Sequence, residues 1–352
     1  MNIKNYRVLG LMSGTSLDGL DIAYCNFIYK NNKWEFKLIC SEFVAYTISW
    51  KRKLTNLFYD VQNLNKIELE YSDFLSKSIN NFIKKNNFIV DCISSHGHTI
   101  FHEPNKGITM QIGKGNILFE RTKIPVICNF REQDVKLGGQ GAPLVPYGDS
   151  LLFNEYDSCL NLGGFSNISF KRNNKIIAFD ICPLNIVLNY LSEKKGFPYD
   201  ASGINASKGK VDFNLLHKLN TIEYYDKEPP KSLAKEWLEY KFLSVINNFK
   251  LPVDDLLRTC VEHFAIQIST VFSEFQIKNS LITGGGVFNE FLVSQIEKKV
   301  KINLIIPPKN IIIFKEAIIF AFLGLLRLRN EINCLSEITG SSKNHSAGDI
   351  YC

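Results

Sequence analysis

The sequence predicts an α/β protein of two domains. The chain has 352 residues, which suits two domains of about 100–200 residues each. Apolar strand-like runs alternate with segments of helical spacing. A pattern of strand, glycine turn and strand opens the chain and starts again at residues 157–170. We therefore expect two α/β halves.

The first half begins with strands. Three are predicted, and the polar turn "KNNK" separates the second from the third: residues 6–12, 20–29 and 34–46. Residues 51–87 alternate apolar and charged groups at helical spacing, and "LEYSDFLSKSINNFIKK" is the clearest helix. "FIVDCISSHG" predicts a buried strand that ends in a glycine turn, and "MQIGKGN" and "IPVICNF" predict short strands.

The second half repeats this order. "DSCLNLGGFSNISF" predicts two strands joined by a glycine turn, "KIIAFD" a third strand, and "PLNIVLNYLSEKKG" a helix. Later elements are a helix, a strand–glycine–helix unit, a strand and a long final helix: "HFAIQISTVFSEF", "NSLITGGGVFNEFLVSQIEKKV", "INLIIPP" and "KEAIIFAFLGLLRLRN".

Composition excludes several classes of protein. The chain is 45% hydrophobic with a formal net charge of +6, and its basic residues form no stripe with interleaved aromatics, so we expect no nucleic-acid partner. Nine cysteines without CxxC spacing indicate reduced thiols in a cytoplasmic protein. No signal-peptide pattern opens the chain. Lys315 and Glu316 interrupt the most apolar stretch, which predicts a buried helix and no membrane contact.

Three glycine turns are associated with the predicted strands: "SGTS" (13–16), "NLGGFSN" (161–167) and "TGGGVFN" (283–289). Backbone N–H groups in such turns can form a cradle for an anion. None of them matches a P-loop or a Rossmann fingerprint. Each alone is more often only a turn, but the three together favour a nucleotide held between two domains.

Carboxylates and histidines supply the candidate chemistry. Asp180 ends a predicted strand, which suits a general base or a metal ligand, although a turn cap is the commoner role. "SSHGHTIFH" holds His96, His98 and His102, for which substrate contacts, plain turn residues or a metal site remain open. Glu316 lies in an apolar helix and needs a partner or a ligand.

Taken in order, the motifs resemble one family, the anhydro-N-acetylmuramic acid kinases of the sugar kinase/Hsp70/actin superfamily. The matching stretches run from residue 9 to about 350: "GLMSGTSLDGLDIA", "SHGHTIFHEP", "QIGKGN", "FREQDVKLGGQGAPLVP", "NLGGFSNIS", "FDICPLN", "PYDASGINASKG", "PPKSLAKEW", "TGGGVFN", "KEAIIFAFLG" and "TG" at Gly340. "MSGTSLDG" together with "GGQGAPLVP" is highly specific.

The resemblance implies two actin-like (ribonuclease H-like) domains that flank a cleft for nucleotide and sugar. We place them at residues 1–130, joined by 337–352, and at 131–336. It implies that 1,6-anhydro-N-acetylmuramic acid is hydrolysed at its anhydro bond and phosphorylated at O6 in cell-wall sugar recycling. The products are N-acetylmuramic acid 6-phosphate and ADP. ATP and Mg²⁺ are the implied cofactors, and a homodimer the implied assembly.

The resemblance also assigns residues. Asp180 matches the family's catalytic base, and His96, Arg131, Asp134 and Glu316 fall at the sugar site. The nucleotide would contact residues in or beside the first turn and the glycines of the other two turns: Ser13, Gly14, Thr15, Ser16, Leu17, Asp18, Gly19, Asp21, Gly163, Gly164, Gly284, Gly285 and Gly286. Asp18 is also the expected Mg²⁺ contact.

Several positions depart from the family pattern. Ile181, Cys182 and Leu184 replace the common Thr, Gly and Gly after Asp180, His98 replaces Gln, and Lys114 replaces Asp. "PPKSLAKEW" departs from "PPKSTGREW". The alternatives are another sugar kinase of the same fold, a sugar-binding homologue with weakened catalysis, and a metalloenzyme built on the three histidines.

Overall fold

The computed structural model describes residues 4–14, 16–59 and 61–352. Contacts divide the chain into two compact units. The first unit combines Met1–Leu152 with Phe314–Cys352, and the second unit is Phe153–Ile313. The predicted boundaries at residues 130 and 336 differ from these, because residues 131–152 and 314–336 pack with the first unit.

The first unit contains a mixed sheet. Its strands are β1 (Lys4–Ser13), β2 (Gly19–Lys30), β3 (Lys33–Ala45), β4 (Cys92–Glu103), β5 (Ile108–Ile112), β6 (Val126–Cys128) and β12 (Asp349–Tyr351). The order across the sheet is β3-β2-β1-β4-β6-β12, and β5 pairs with β4. β1, β2 and β3 pair antiparallel, whereas β4 is parallel to β1 and β6 is parallel to β4.

Helices surround this sheet. They are α1 (Ile48–Tyr59), α2 (Leu64–Asn86), α3 (Gly115–Thr122), α4 (Glu132–Lys136), α5 (Val145–Leu152) and α14 (Ser336–Thr339). The long helix α13 (Lys309–Leu328) begins before the unit boundary and contributes residues 314–328 to the first unit. The core lies between the sheet and these helices, with Leu9, Ile22, Tyr71 and Phe82 among its fully buried members.

The second unit repeats the sheet order. Its strands are β7 (Ser158–Leu162), β8 (Phe165–Arg172), β9 (Lys175–Pro183), β10 (Asn279–Thr283) and β11 (Asn303–Ile305), in the order β9-β8-β7-β10-β11. β7, β8 and β9 pair antiparallel, and β10 is parallel to both β7 and β11. Both units thus carry the strand order of the ribonuclease H-like fold, and the predicted fold class is confirmed.

The helices of the second unit are α6 (Asn185–Glu193), α7 (Ile204–Lys208), α8 (Phe213–Asn220), α9 (Lys235–Trp237), α10 (Ser244–Asn247), α11 (Val253–Glu274) and α12 (Glu290–Lys299). Helix α11 lies along the middle of the core, where Leu257, Phe264 and Ile268 are fully buried. Among the residues that the structure describes, no helix is both long and apolar enough to cross a membrane.

One predicted element differs from the structure. Strand β4 does not end in a glycine turn at Gly97 but continues to Glu103. Gly97 has φ 73°, a conformation that glycine adopts at little cost. The register against β1 shifts at this point. The residues of "SSHGHTIFH" therefore lie along an irregular strand.

Helix α13 approaches the first sheet at two small residues. A Cβ atom on Gly10 of β1 would lie 2.0 Å from the carbonyl oxygen of Ala317. A Cβ on Gly324 would lie 2.3 Å from Ser94 Oγ on β4. Ser94 Oγ donates a hydrogen bond of 2.5 Å to the carbonyl of Phe320. The position of this helix therefore depends on the absence of side chains at both glycines.

We expect Gly10→Ala to destabilise the first unit, because the new methyl group would overlap the backbone of α13. Overpacking of this kind costs about 1–3 kcal/mol. Urea unfolding followed by tryptophan fluorescence would show the lower midpoint. The matched control is Gly164→Ala, where an added Cβ has no neighbour within 4 Å. Equal midpoints for the two variants would contradict the importance of this contact.

Candidate functional site

The first glycine turn joins β1 to β2, and its first residue faces the interior. Ser13 Oγ lies 2.6 Å from the Tyr46 hydroxyl and 2.9 Å from His98 Nδ1. The Tyr46 hydroxyl in turn lies 2.7 Å from that of Tyr71. All four side chains are buried. The Ser13 hydroxyl therefore anchors the turn, and it is not turned toward a ligand.

His98 fills the position where the family commonly has glutamine. Burial lowers the pKa of His98 to about 4, so its ring is neutral near pH 7 and can still exchange a hydrogen bond with Ser13. The sequence did not reveal Tyr46 or Tyr71 as members of this network, because they come from distant points of the chain.

The remaining residues of the turn differ in accessibility. Ser16 and Asp18 are exposed, and Gly14 and Leu17 are partly buried. Gly19 is buried in the β2–β3 pairing, where an added Cβ would lie 2.4 Å from the Val44 carbonyl oxygen. The prediction for Thr15 lies outside the described residues. Within the described part of the turn, a ligand can therefore reach Gly14, Ser16, Leu17 and Asp18 more readily than Ser13 or Gly19.

The carboxyl group of Asp21 is influenced by two other carboxylates of the first unit. Burial, then the charges of Glu316 and Asp18, raise the pKa of Asp21 to about 7. Glu316 on α13 is open to solvent, yet desolvation by the surrounding protein raises its pKa, while Lys315 and Arg131 act to lower it. Asp21 thus takes part in an electrostatic cluster and is more than an isolated charge.

Arg131 and His96 are directly bonded. Arg131 Nε donates to His96 Nε2 at 3.0 Å, and Arg131 Nη1 donates to the Gly141 carbonyl at 2.9 Å. His96 Nδ1 therefore carries the proton and donates to the Gly97 carbonyl at 3.0 Å. Burial first, and then the Arg131 charge, hold the pKa of His96 well below its usual range. Burial lowers the pKa of Arg131 to about 10, and Glu316 partly opposes this.

The structure brings together some of the predicted sugar-site residues. Arg131 contacts His96 and interacts electrostatically with Glu316. Asp134 instead lies fully inside the first unit. Its Oδ2 accepts the Gly141 N–H at 2.7 Å and its Oδ1 accepts the Thr339 hydroxyl at 2.7 Å. Asp134 therefore holds the "GGQG" loop in place and is a positioning residue.

The three histidines of "SSHGHTIFH" do not form a metal site in the described part of the chain. His96 and His98 are buried and bonded to different partners, whereas His102 is exposed and lies 3.1 Å from Thr109 Oγ1. Among the described residues, the one group of three or more close metal-ligating atoms is elsewhere, at Asp134, Cys334 and His345. The metalloenzyme alternative thus loses its structural basis.

In the second unit, the two glycine turns and the "FDICPLN" segment converge. The carbonyl of Gly163 accepts the N–H of Asn185 at 3.2 Å, and that of Gly164 accepts the N–H of Leu184 at 2.8 Å. Asn185 Nδ2 donates to the Leu162 carbonyl at 2.9 Å. These bonds fix the β7–β8 turn against the start of helix α6.

The third turn packs on the same point. A Cβ atom added to Gly284 would lie 2.7 Å from the carbonyl carbon of Leu162. A Cβ atom added to Gly286 would lie 2.8 Å from the Cβ atom of the same leucine. Gly284 also has φ 87°, which disfavours a side chain. Gly164 and Gly285 are exposed. The turns therefore offer two open glycines beside two that serve close packing.

Asp180 lies near the end of β9 and is partly exposed. Its Oδ2 accepts the Leu233 N–H at 2.8 Å, and no hydrogen bond to Oδ1 occurs among the described residues. Burial raises the pKa of Asp180, and the Leu233 N–H opposes that shift. The carboxylate is thus oriented by one oxygen and free to accept a proton with the other, as a general base requires.

The departures beside Asp180 lie in the core. Ile181, Cys182 and Leu184 are all buried in the hydrophobic cluster of the second unit. In "PPKSLAKEW" the contact to Asp180 comes from the backbone of Leu233, so it does not depend on that side chain. The positive charge of Lys114 is paired with a carboxylate, since its Nζ lies 3.8 Å from Glu68 Oε2. These substitutions leave the Asp180 carboxylate and its partner in place.

The chain is similar to known proteins along nearly its whole length. The model of the anhydro-N-acetylmuramic acid kinase family matches residues 6–352. The anhydro-N-acetylmuramic acid kinase of Haemophilus influenzae is 33% identical over 100% of this chain and 99% of its own length. That of Sulfurovum sp. is 30% identical over 98% of this chain and 99% of its own. One similar solved structure is component A of (R)-2-hydroxyglutaryl-CoA dehydratase from Acidaminococcus fermentans, with a sequence identity of 12% and a TM-score of 0.46. The alignment covers 91% of this chain and 97% of that chain.

The raised pKa of Asp21 predicts a pH-dependent stability. The folded state favours the protonated carboxyl group of Asp21. The stabilisation from this protonated group is therefore complete below about pH 4 and is lost as the pH rises through about 7. We expect Asp21→Asn to be more stable than the native chain by about 1–2 kcal/mol at pH 8, after allowance for solvent screening. The free energies of unfolding of Asp21→Asn and of the native chain should become equal near pH 4.

The measurement is the urea midpoint of each chain across this pH range. Asp18→Asn is the matched control, since Asp18 is an exposed carboxylate of the same turn. A constant difference between Asp21→Asn and the native chain at every pH would show that Asp21 has an ordinary pKa.

Proposed function

The chain belongs to the anhydro-N-acetylmuramic acid kinase family, and we propose that it converts 1,6-anhydro-N-acetylmuramic acid, ATP and water into N-acetylmuramic acid 6-phosphate and ADP. The observation that carries this proposal is the Asp180 carboxylate. One of its oxygens is fixed by Leu233 N–H, and the other is free to accept a proton.

The reaction needs an activated water molecule. Asp180 Oδ1 takes a proton from water as the oxygen attacks C1 of the sugar. The bond between C1 and O6 breaks, and O6 takes up the γ-phosphoryl group as ADP leaves. One water molecule and one phosphoryl group are added to the sugar, and the proton held by Asp180 is released to solvent.

The protein's own part in phosphoryl transfer is positioning and charge neutralisation. The accessible residues of the first turn and the open glycines Gly164 and Gly285 are suited to contact the nucleotide through backbone N–H groups. Gly19 and Ser13 support the turn from within. Gly163, Gly284 and Gly286 likewise shape their turns by close packing.

Mg²⁺ fits the carboxylates of the first unit. Asp18 is exposed and adds to the charge that raises the pKa of Asp21, and such oxygen donors suit a hydrated magnesium ion. When bound, Mg²⁺ supplies neutralisation of the phosphate charge. We propose Asp18 as its nearest protein contact, through water.

The sugar site is proposed around Arg131, His96 and Glu316. The Arg131 guanidinium, oriented by its bonds to His96 and to the Gly141 carbonyl, and the desolvated Glu316 carboxyl offer groups of opposite charge to sugar hydroxyls. Asp134 contributes indirectly. It accepts the N–H of Gly141, and the carbonyl of Gly141 in turn accepts a hydrogen bond from Arg131 Nη1. A cytoplasmic location and a homodimer remain predictions that rest on the family.

The first test is the reaction itself. Purified protein is incubated with ATP, Mg²⁺ and 1,6-anhydro-N-acetylmuramic acid, and the sugar is followed by mass spectrometry. We expect the mass of one water and one phosphoryl group to be added, with ¹⁸O from labelled water at C1. Phosphorylation without water would identify an ordinary sugar kinase, and ADP formation with unchanged sugar would reject the proposal.

The second test removes the base. We expect Asp180→Asn to bind ATP as the native chain does but to lose turnover by about a thousandfold, because the amide cannot accept the proton. Isothermal titration and the mass assay measure the two quantities. Asp226→Asn, an exposed carboxylate of the same unit, is the control and should retain full activity. Near-native turnover of Asp180→Asn would exclude Asp180 as the base.

A further inference from the structure

Three potential metal ligands meet inside the first unit, and the proposed reaction does not use them as ligands. Asp134 lies on α4, while Cys334 and His345 come from the last segment of the chain. Their exposed fractions are 0%, 1% and 6%, respectively. One potential ligand atom from each lies within 4.8 Å of the other two. Neither Cys334 nor His345 belongs to a motif of the family resemblance.

The backbone holds two of these residues as a pair. Cys334 N–H donates to the His345 carbonyl at 3.1 Å, and His345 N–H donates to the Cys334 carbonyl at 3.0 Å. Residues paired in this way carry their side chains to the same side of the ladder. The thiol and the imidazole are thus brought together before any ligand arrives.

The imidazole of His345 presents an unpartnered nitrogen to the cluster. His345 Nδ1 lies 3.1 Å from the carbonyl of Lys343, so Nδ1 carries a proton and donates it. His345 Nε2 is buried without a hydrogen-bond partner among the described residues. Metal-binding histidines commonly donate their other N–H to a backbone carbonyl, which leaves the second nitrogen free for the metal.

Two of the separations between the three potential ligand atoms are close to those found around one small cation. Cys334 Sγ lies 3.1 Å from Asp134 Oδ1, and His345 Nε2 lies 3.6 Å from the same oxygen. Tetrahedral zinc with ordinary bond lengths places such ligand atoms about 3.3–3.5 Å apart. The distance from His345 Nε2 is too long for a hydrogen bond. Both distances to Asp134 Oδ1 lie within a few tenths of an ångström of those around a zinc ion, and the three ligand atoms lie within 4.8 Å of one another.

The neighbouring groups hold the carboxylate for this purpose. Asp134 Oδ2 accepts the Gly141 N–H at 2.7 Å, which fixes the plane of the carboxylate. The Thr339 hydroxyl lies 2.7 Å from Asp134 Oδ1 and 3.9 Å from Cys334 Sγ, so it faces the same point. Hydrogen bonds of this kind to a ligand are a regular feature of metal sites.

We propose that Asp134, Cys334 and His345 form a binding site for a zinc ion that ties helix α4 to the C-terminal segment. Thiolate, imidazole and carboxylate are the three ligand types that zinc takes in proteins. Binding would release the thiol proton to solvent and form a zinc–sulfur bond. The thiolate and the carboxylate together balance the charge of the ion inside the buried site.

The thiol resists ionisation without the metal. Burial, followed by the charge of Asp134, raises the pKa of Cys334. The metal-free thiol therefore stays protonated and donates to Asp134 Oδ1. Zinc replaces that proton, so we expect its binding to be tighter as the pH rises. The site also holds the loop from Arg131 to Gly141, but its existence does not depend on the proposed kinase activity.

The test is metal binding by the full-length chain with Cys352→Ser as background, because Cys352 is an exposed thiol. Protein freed of metal is titrated with Co²⁺ alone, and the spectrum is recorded. We expect one equivalent to bind with a sulfur-to-cobalt charge-transfer band and the visible bands of tetrahedral cobalt. Zn²⁺ should displace the cobalt and raise the melting temperature.

Three variants identify the ligands. Cys334→Ser should lose the charge-transfer band, and His345→Gln should weaken Co²⁺ binding by about a hundredfold or more. Cys25→Ser, another fully buried thiol of the first unit, is the matched control and should bind as the background chain does. Absence of the band in the background chain, or stoichiometric binding that survives both ligand changes, would show that the cluster is only a metal-free set of hydrogen bonds.

Discussion

The close approach of helix α13 to strands β1 and β4 sets the geometry of the first unit. Gly10 leaves room for the backbone of the helix at Ala317, and Gly324 leaves room for the side chain of Ser94. A side chain at either glycine would collide with these atoms. The hydrogen bond from Ser94 to the Phe320 carbonyl then fixes the helix at that distance. Glu316 lies one turn before Phe320 on the same helix, and its charge acts to raise the pKa of both Asp21 and Arg131.

The second unit uses the same physical device at another place. Gly284 and Gly286 allow their turn to pack on Leu162, and Asn185 is bonded to the carbonyl of that same leucine. Glycine thus serves two purposes in these motifs. Some glycines let segments approach each other, while the exposed Gly164 and Gly285 leave backbone accessible. Sequence motifs that look uniform therefore divide into a structural and an accessible part.

Local patterns made much of the fold predictable. The strands from β1 to β3 and helix α2 carry clear apolar periodicity, and both glycine hairpins were found from strand–turn–strand patterns. The short helices α7 to α10 have no comparable signal, because they are too short for a period to show. The contact-based units have other boundaries than the predicted domains, and one of these boundaries, between Ile313 and Phe314, lies within helix α13, where the sequence pattern shows no break.

The candidate site was predictable only where its residues lie in motifs. Asp180 was predicted from its place at the end of a strand and from its match to a family motif. Its role as a base stays a prediction, which the carboxylate oxygen without a hydrogen bond supports. The Ser13–Tyr46–Tyr71 network and the Lys114–Glu68 pair could not be found, because they join residues that only the fold brings together. The same holds for Cys334, which lies 200 positions from Asp134 along the chain.

The discontinuous first unit has a consequence for biosynthesis. All residues of the second unit form one continuous segment, whereas the first unit also needs Phe314–Cys352, which are synthesised after the second unit. The nascent β1–β4 sheet must therefore wait for helix α13 while the whole second unit is synthesised. Apolar surface that stays uncovered during synthesis favours misassembly. The uncovered face of this incomplete sheet is therefore the part of the nascent chain most open to misassembly.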